Sequence, residues 1–287
     1  MAFYCLLNLI IPFFFVPLNL PTITNNPSLV SLNPGVKPLI VKAERSAVLS
    51  GNDRVFLWSS HGSETQPIAS ITKLMTALVF LDYNPGWETV YKVTADDHVE
   101  GGRLNLFLGD QVTVKNLFYT SLVASDNGAT LALVHATGLS ENDFVSKMNQ
   151  KARVLGLSQT HFDDPIGLSA NNVSTAEEVA KLAKAALSRT EIAKATEQES
   201  YEFKTLDDKN IKVDSTDYLL FDPAQNSFQV LGGKTGYTDQ AGYCFVGRFQ
   251  DKEGRMVISV VLNAGGKNER FLETKNLVNW IFNSYNW

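Results

Sequence analysis

The chain contains 287 residues, a length that fits two domains of ordinary size or one domain with two lobes. Hydrophobic residues make up 44% and charged residues 19%, which is typical of a globular protein and excludes disorder, collagen and coiled coil for the whole chain. The net charge of −5 argues against a broad basic face for nucleic acid. Two cysteines, Cys5 and Cys244, cannot build a disulfide framework or a four-cysteine zinc site. We expect no metal and no cofactor.

The first twenty residues are mostly apolar and carry no charged side chain. Their length predicts a secretory signal peptide, although a basic leading region and a small-residue cleavage site are missing. A membrane anchor and a buried core segment are the alternatives, and Pro12 and Pro17 would interrupt a spanning helix. Residues 21–38 hold four prolines and indicate a linker, which leaves residues 39–287 for the folded domain. We expect an extracytoplasmic protein, in the periplasm or attached to the outer face of the cytoplasmic membrane through residues 1–20.

A strand pair and a series of helices are predicted for the first two thirds of the chain. Residues 46–50 and 54–59 flank a Gly-Asn-Asp turn, which favours a β-hairpin. A helix is expected to begin at Ser70, and its apolar positions cover most of the circumference, which indicates a buried helix. Thr175 and Glu178 have the spacing of a capping box. Further helices are predicted at residues 113–124, 128–136, 140–155 and 176–187, with Thr113 and Ser140 as the residues that begin two of them.

Strands return in the last third of the chain. Residues 201–204 and 211–213 alternate like a hairpin, and residues 242–249 and 256–263 have the pattern of two buried strands. An amphipathic helix over residues 271–281 follows them. Because strands come from both chain ends and helices lie between them, we predict an α+β fold with an antiparallel sheet flanked by helices. A helical lobe is inserted between the Ser70 helix and a strand at Lys234.

Three short motifs are candidates for chemistry. In the first, Ser70-Ile71-Thr72-Lys73, the three-residue spacing places the serine and lysine side chains on one helix face. A serine hydroxyl needs an adjacent base, and a lysine can serve only if burial and a neighbouring cation lower its pKa by about three units. By itself the motif more often marks a capping serine and a surface lysine than a catalytic pair.

The second and third motifs lie at a helix junction and before a strand. Ser125-Asp126-Asn127 falls between two predicted helices, where it could point a hydroxyl and an amide into a cleft or simply cap a helix. Residues 233–238, which include Lys234-Thr235-Gly236, resemble the end of a phosphate-binding loop. That loop requires a glycine where this chain has Phe228, so nucleotide binding is rejected. An edge strand with lysine and threonine beside a glycine would suit an anionic, peptide-like ligand, although by itself the motif more often marks a charged turn that leads into a strand.

Together, S-x-x-K, S-D-N and K-T-G form the signature of class A β-lactamases and penicillin-binding proteins, and they occur here in that order. The sequence resembles the serine DD-peptidases, or low-molecular-mass penicillin-binding proteins, which include the D-alanyl-D-alanine carboxypeptidases. The resemblance runs from about residue 46 to the C-terminus. The matching segments are residues 67–78, 109–114, 148–149, 160–162, 165–168 and 233–238.

The resemblance implies acyl transfer on peptidoglycan stem peptides that end in D-Ala-D-Ala. Ser70 would attack the penultimate D-Ala carbonyl and form an acyl-enzyme, with Lys73 as the general base. Ser125 would relay a proton to the leaving amine, and water would then release the product. β-Lactams would imitate the substrate and acylate Ser70.

The resemblance also implies a set of substrate-binding residues. Asn127 would hold Lys73 or the substrate amide. Lys234 and Thr235 would bind the terminal carboxylate, and Lys234 would help to lower the pKa of Lys73. Gly236 lies on the same strand, and the backbone N–H of Tyr237 would form the oxyanion hole together with that of Ser70.

Two departures from the family bear on the activity. The central Asp126 is the β-lactamase form of the middle motif, but no Glu-x-x-Leu-Asn sequence lies between Asn127 and Lys234, which argues against a β-lactamase. The chain stops soon after its last predicted helix, and residues 167–175 resemble the endopeptidase branch. We expect a carboxypeptidase, with an endopeptidase that cleaves cross-links as the alternative. A non-catalytic wall-binding module is disfavoured because all the polar motif residues are present.

Overall fold

The computed structural model describes residues 30–52, 55–99, 105–221 and 227–287. The predicted signal peptide or membrane anchor (1–20) and the first part of the predicted linker lie outside these residues. Within the described part, no helix is long and apolar enough to cross a membrane.

The described residues form β-strands, most of them short, and seven α-helices. Five of the strands form the central sheet. The strands are β1 (Ser31–Leu32), β2 (Arg45–Ser50), β3 (Phe56–Ser60), β4 (Gln66–Pro67), β5 (Val90–Lys92), β6 (Gln111–Thr113), β7 (Val173–Ser174), β8 (Ser200–Lys204), β9 (Asn210–Asp214), β10 (Gln229–Thr238), β11 (Gly242–Gln250), β12 (Met256–Ala264) and β13 (Tyr285–Asn286). The α-helices are α1 (Lys73–Asp82), α2 (Val114–Val123), α3 (Asn127–Ala136), α4 (Glu141–Val154), α5 (Ala176–Leu187), α6 (Thr190–Thr196) and α7 (Glu269–Ser284).

The central sheet has five antiparallel strands in the order β10-β11-β12-β2-β3. The β2–β3 hairpin comes from the N-terminal part of the chain and inserts its strand β2 beside β12, so both chain ends build the sheet. The predicted antiparallel α+β architecture is therefore confirmed. Strand β10 forms one edge of the sheet, which leaves its outer backbone edge available to another group.

Apolar side chains cover both faces of the sheet. One face packs against α7 through a cluster that includes Phe245, Phe271 and Ile281. The other face packs against α5, whose small side chains Ala180 and Ala183 allow a close approach. The larger cluster continues from α5 through α1, the helix after Ser70, into α2, α3 and α4, which form the predicted helical lobe.

The predicted helices lie where expected, with differences at their ends. Thr113 and Ser140 cap α2 and α4 by accepting the backbone N–H three residues on, as the sequence predicts. The capping box at Thr175 is only half formed. Thr175 accepts the N–H of Glu178, but the Glu178 carboxylate accepts hydrogen bonds from Gln159 instead of reaching back. Helix α6, a single short segment, was not predicted.

The segment expected to begin a helix at Ser70 starts with a 3₁₀ turn, Ala69–Thr72, and α1 begins at Lys73. The backbones of Gly167 and Gly236 pack against this turn. In a 3₁₀ turn, residues three apart lie above one another, so Ser70 and Lys73 come close together.

Candidate active site

The side chain of Ser70 lies within the 3₁₀ turn before α1. The preceding residue, Ala69, has φ +49°, a left-handed backbone that an alanine rarely adopts. Ser70 is half-buried, and its Oγ accepts a hydrogen bond from the Nζ of Lys73 at 3.0 Å. Ser70 Oγ therefore lies within hydrogen-bond distance of an amine, an arrangement that can activate a serine hydroxyl.

The amine of Lys73 is fully buried and held by oxygen atoms. It donates to Ser70 Oγ, to Asn127 Oδ1 at 2.7 Å and to the carbonyl of Ile166 at 2.6 Å. Burial lowers the pKa of Lys73 to about 7, while the carboxylates of Asp126 and Asp164 oppose that shift. At neutral pH part of Lys73 is therefore the free amine, whose two N–H groups can be donated to Asn127 and Ile166 while its lone pair accepts the proton of Ser70.

Ser125 and Asn127 occupy the junction between α2 and α3. The carboxylate of Asp126 caps α3 by accepting the N–H of Ala129 at 2.7 Å. Ser125 is therefore not needed as the cap. With φ +59°, it turns its hydroxyl toward Lys234, whose Nζ lies 2.7 Å away. In this motif Asp126 therefore caps the helix, while Ser125 and Asn127 contact the two lysines.

The edge strand β10 contributes Lys234 and Thr235. Lys234 is 1% exposed, and its Nζ donates to Ser125 Oγ and to the carbonyl of Thr235 at 3.0 Å. Burial and the positive charges of Lys73 and Arg270 hold the pKa of Lys234 well below its usual value. The Thr235 hydroxyl donates to the hydroxyl of Thr216 at 2.6 Å.

Gly236 allows β10 to pass directly beside the serine turn. A Cβ at this position would lie 2.7 Å from the carbonyl oxygen of Ile68 and 3.3 Å from the nitrogen of Ser70. The next residue, Tyr237, is 49% exposed, and its ring stacks on Tyr243 with centroids 4.4 Å apart. The backbone of β10 therefore lies against the turn that contains Ser70, while the phenol ring of Tyr237 extends toward solvent.

The loop between α4 and β7 supports Lys73 from the opposite side. Gly167 has φ +88° and packs against the Ala69–Ser70 backbone. Asp164 accepts the N–H groups of Ile166 and Gly167, which holds the Ile166 carbonyl against Lys73. The sequence marked residues 165–168 as similar to the family, but it gave no role to the Ile166 carbonyl.

A buried amide holds this loop to the serine segment. The Oδ1 of Asn172 accepts the N–H groups of Asp163 and Asp164, and its Nδ2 donates to Thr72 Oγ1 at 3.1 Å. Its backbone carbonyl accepts the N–H of Ile68 at 2.9 Å. The sequence offered no spacing that would place Asn172 beside residues 68–72. No trio of His, Cys, Asp or Glu in the described ranges is grouped closely enough to hold a metal.

The three motifs thus meet in one cleft: Ser70 and Lys73 on the turn and α1, Ser125 and Asn127 at the helix junction, and Lys234, Thr235 and Gly236 on the sheet edge. A nucleophile, an amine of pKa about 7 and a second buried lysine are the elements of serine acyl transfer.

Comparison with known proteins agrees with this geometry. The family model for D-alanyl-D-alanine carboxypeptidases matches residues 35–266. The chain belongs to this family. A D-alanyl-D-alanine endopeptidase of Haemophilus influenzae is 34% identical over 222 residues, which cover 75% of each chain. The D-alanyl-D-alanine carboxypeptidase DacF of Bacillus subtilis is 33% identical over 250 residues, 84% of this chain and 62% of the relative.

The fold is also shared with solved structures of the family. Penicillin-binding protein D2 of Listeria monocytogenes, in its ampicillin-bound form, matches with a TM-score of 0.74 and 30% identity. The match covers 86% of this chain and all of that one. The predicted family and the predicted serine DD-peptidase fold are confirmed.

Proposed function

We propose that this protein is a serine-type D-alanyl-D-alanine carboxypeptidase that trims peptidoglycan stem peptides through an acyl-enzyme on Ser70. Lys73 removes the hydroxyl proton of Ser70 as its Oγ attacks the carbonyl of the penultimate D-Ala. The peptide C–N bond breaks, and the terminal D-Ala leaves as an amine that receives its proton through Ser125. Water then hydrolyses the ester and regenerates Ser70.

The single observation that carries this proposal is the contact between Ser70 Oγ and the Nζ of Lys73, which are 3.0 Å apart, with Lys73 fully buried. A lysine in water would be protonated at neutral pH and could not act as a base. Here burial lowers the pKa of Lys73 to about 7. With this pKa, part of the lysine is unprotonated at neutral pH and still binds a proton well enough to act as a base. The family membership supports the same chemistry.

The substrate carboxylate is assigned to the β10 edge. Lys234 and the Thr235 hydroxyl lie side by side on this strand, and Lys234 is also hydrogen-bonded to Ser125. A carboxylate that replaces part of this network would receive charge-assisted hydrogen bonds. The outer edge of β10 suits an extended peptide, which can add to the sheet as a further strand.

The backbone N–H groups of Ser70 and Tyr237 are assigned to the oxyanion hole. A Cβ on Gly236 would lie 3.3 Å from the Ser70 nitrogen, so the amides of Ser70 and Tyr237 lie on adjoining backbone segments. Each such donor contributes about 10²–10³ in rate in other acyl-transfer enzymes.

Acylation by a labelled penicillin tests the nucleophile. We expect a single labelled peptide that contains Ser70 in the wild-type protein and no label in Ser70→Ala. Heat-unfolded wild-type protein is the control for non-specific acylation. Label on another residue, or label that persists in Ser70→Ala, would contradict the assignment.

An endopeptidase is the second candidate, favoured by the Haemophilus influenzae relative, whose match covers equal shares of both chains. Digested muropeptides analysed by mass spectrometry distinguish the two activities. Loss of one D-Ala from a monomer indicates a carboxypeptidase, whereas conversion of cross-linked dimers to monomers indicates an endopeptidase. Ser70→Ala, which should catalyse neither reaction, is the matched control.

We also propose an extracytoplasmic location, since peptidoglycan lies outside the cytoplasmic membrane, with export or membrane attachment through residues 1–20. N-terminal sequencing of the protein recovered from the periplasmic and membrane fractions tests this. Mature protein that begins after residue 20 indicates cleavage, an intact Met1 in the membrane fraction indicates an anchor, and protein confined to the cytoplasm contradicts the proposal.

A further inference from the structure

The carboxylate of Asp217 is buried behind the β10 edge and is only partly satisfied. Asp217 is 3% exposed, and its Oδ1 accepts the N–H of Leu219 at 3.0 Å. Its Oδ2 accepts no hydrogen bond from any described residue. Buried carboxylate oxygens are almost always paired, since desolvating a charge is costly, so this group calls for an explanation.

Asp217 is held next to the cations of the binding site. It follows Thr216, whose hydroxyl accepts the 2.6 Å hydrogen bond from Thr235 on β10. Its negative charge acts on two buried cations, Lys234 and Arg270. Arg270 donates to the carbonyl of Gly236 at 3.2 Å, so both cations border the same strand.

The buried charges near the two lysines have opposite effects on their protonation. Asp126 and Asp164 favour the protonated form of Lys73, while Lys73 and Arg270 disfavour a proton on Lys234. The hydrogen bonds of Lys234 go to a hydroxyl and a carbonyl, and Asp217 is the carboxylate that acts in favour of its charge. Loss of the Asp217 charge would therefore remove the carboxylate that favours a proton on Lys234.

We propose that Asp217 is a positioning residue that keeps Lys234 protonated while Lys73 is neutral, and so maintains the site for the substrate carboxylate. This inference rests on the proposed function, which requires a neutral base and a cationic carboxylate site at the same pH. Burial raises the pKa of Asp217 to about 7, so its negative charge develops over the range in which Lys73 becomes neutral.

A pair of substrates isolates the charge on Lys234. An acylated peptide ending in D-Ala-D-Ala is compared with the same peptide as its C-terminal carboxamide. The ratio of the two kcat/KM values is measured from about pH 5.5 to about pH 9.5, which lies below the ordinary pKa of a lysine. Both substrates need neutral Lys73, so its titration cancels in the ratio. In Asp217→Asn we expect the carboxylate preference to disappear at a pH about one unit lower than in the wild type.

Controls separate this role from a purely structural one. Asp239→Asn removes an exposed carboxylate that is hydrogen-bonded to the Tyr237 hydroxyl, and it should keep the wild-type pH dependence. Adding Lys234→Arg to Asp217→Asn should restore the preference at high pH, because a guanidinium stays charged. If Asp217→Asn lowers the thermal midpoint strongly, Asp217→Ser, which leaves room for water, is measured in the same way.

Two results would overturn the inference. An unchanged ratio at every pH would show that Asp217 does not act on the carboxylate site, and an equal loss of preference at every pH would indicate a structural role. If the wild-type protein binds penicillin at Ser70 and the variant shows either of these two results, this inference is refuted and the proposed function is not. Wild-type protein that neither binds penicillin nor turns over either peptide refutes the proposed function instead.

Discussion

Replacing Gly167 by alanine tests whether the backbone position of the serine turn controls acylation. A Cβ at Gly167 would overlap the carbonyl oxygen of Ala69 and lie 2.9 Å from the nitrogen of Ser70. Both atoms belong to backbone, so the turn must move by about 1 Å, a displacement that can cost about 10²-fold in rate. That loss corresponds to about 2.7 kcal/mol of transition-state stabilisation.

The assay is the second-order rate of penicillin acylation, measured beside the thermal midpoint. Gly109→Ala is a matched control, because Gly109 has φ +91° but no described atom within 4 Å of the place where the added methyl group would lie. Gly109→Ala therefore shares with Gly167→Ala only the strain of an alanine at positive φ, which is about 1–2 kcal/mol. We expect acylation to fall about 10²-fold in Gly167→Ala and to stay at the wild-type rate in Gly109→Ala. Equal acylation rates in the two variants would refute the reasoning that the contact with residues 69–70 positions Ser70.

Three further predictions follow from the cleft. Penicillin acylation should rise with pH around a midpoint near 7, because the pKa of Lys73 is lowered to about 7 and only its neutral form accepts the Ser70 proton; a midpoint of about 4 would indicate a carboxylate base instead. Asn172→Ala should lower the free energy of unfolding in urea by about 1–3 kcal/mol, because two backbone N–H groups lose their buried acceptor, and full stability would contradict this. Thr216→Val should raise KM for a D-Ala-D-Ala peptide more than it lowers kcat, since it removes the acceptor of the Thr235 hydroxyl; an unchanged KM would show that Thr216 does not orient it.

Helices and strands of this protein were predictable where the pattern is local. The caps at Thr113 and Ser140 and the apolar face of α1 depend on residues a few positions apart. The capping box at Thr175 was half wrong because Glu178 finds better partners at Gln159 and Thr160, which lie on another segment. Local propensity cannot anticipate a competing partner that only the fold brings near.

The start of the serine helix shows the same limit. The sequence predicts a helix from Ser70, but the backbone there is a 3₁₀ turn preceded by Ala69 at φ +49°. The backbones of Gly167 and Gly236, which are distant in the chain, lie so close to this turn that neither position has room for a Cβ. Those glycines carry no local signal for this contact.

From the sequence alone it was possible to predict the family, the antiparallel α+β class and the motif residues, because their order along the chain is itself specific. What those residues could do chemically depended on the tertiary structure. Burial decides that Lys73 has a pKa of about 7, and the cap at Asp126 frees Ser125 to meet Lys234. Charges from separate segments, with Asp217 among them, act on the two lysines only after folding, since desolvation and Coulomb interactions depend on distance in space and not along the chain.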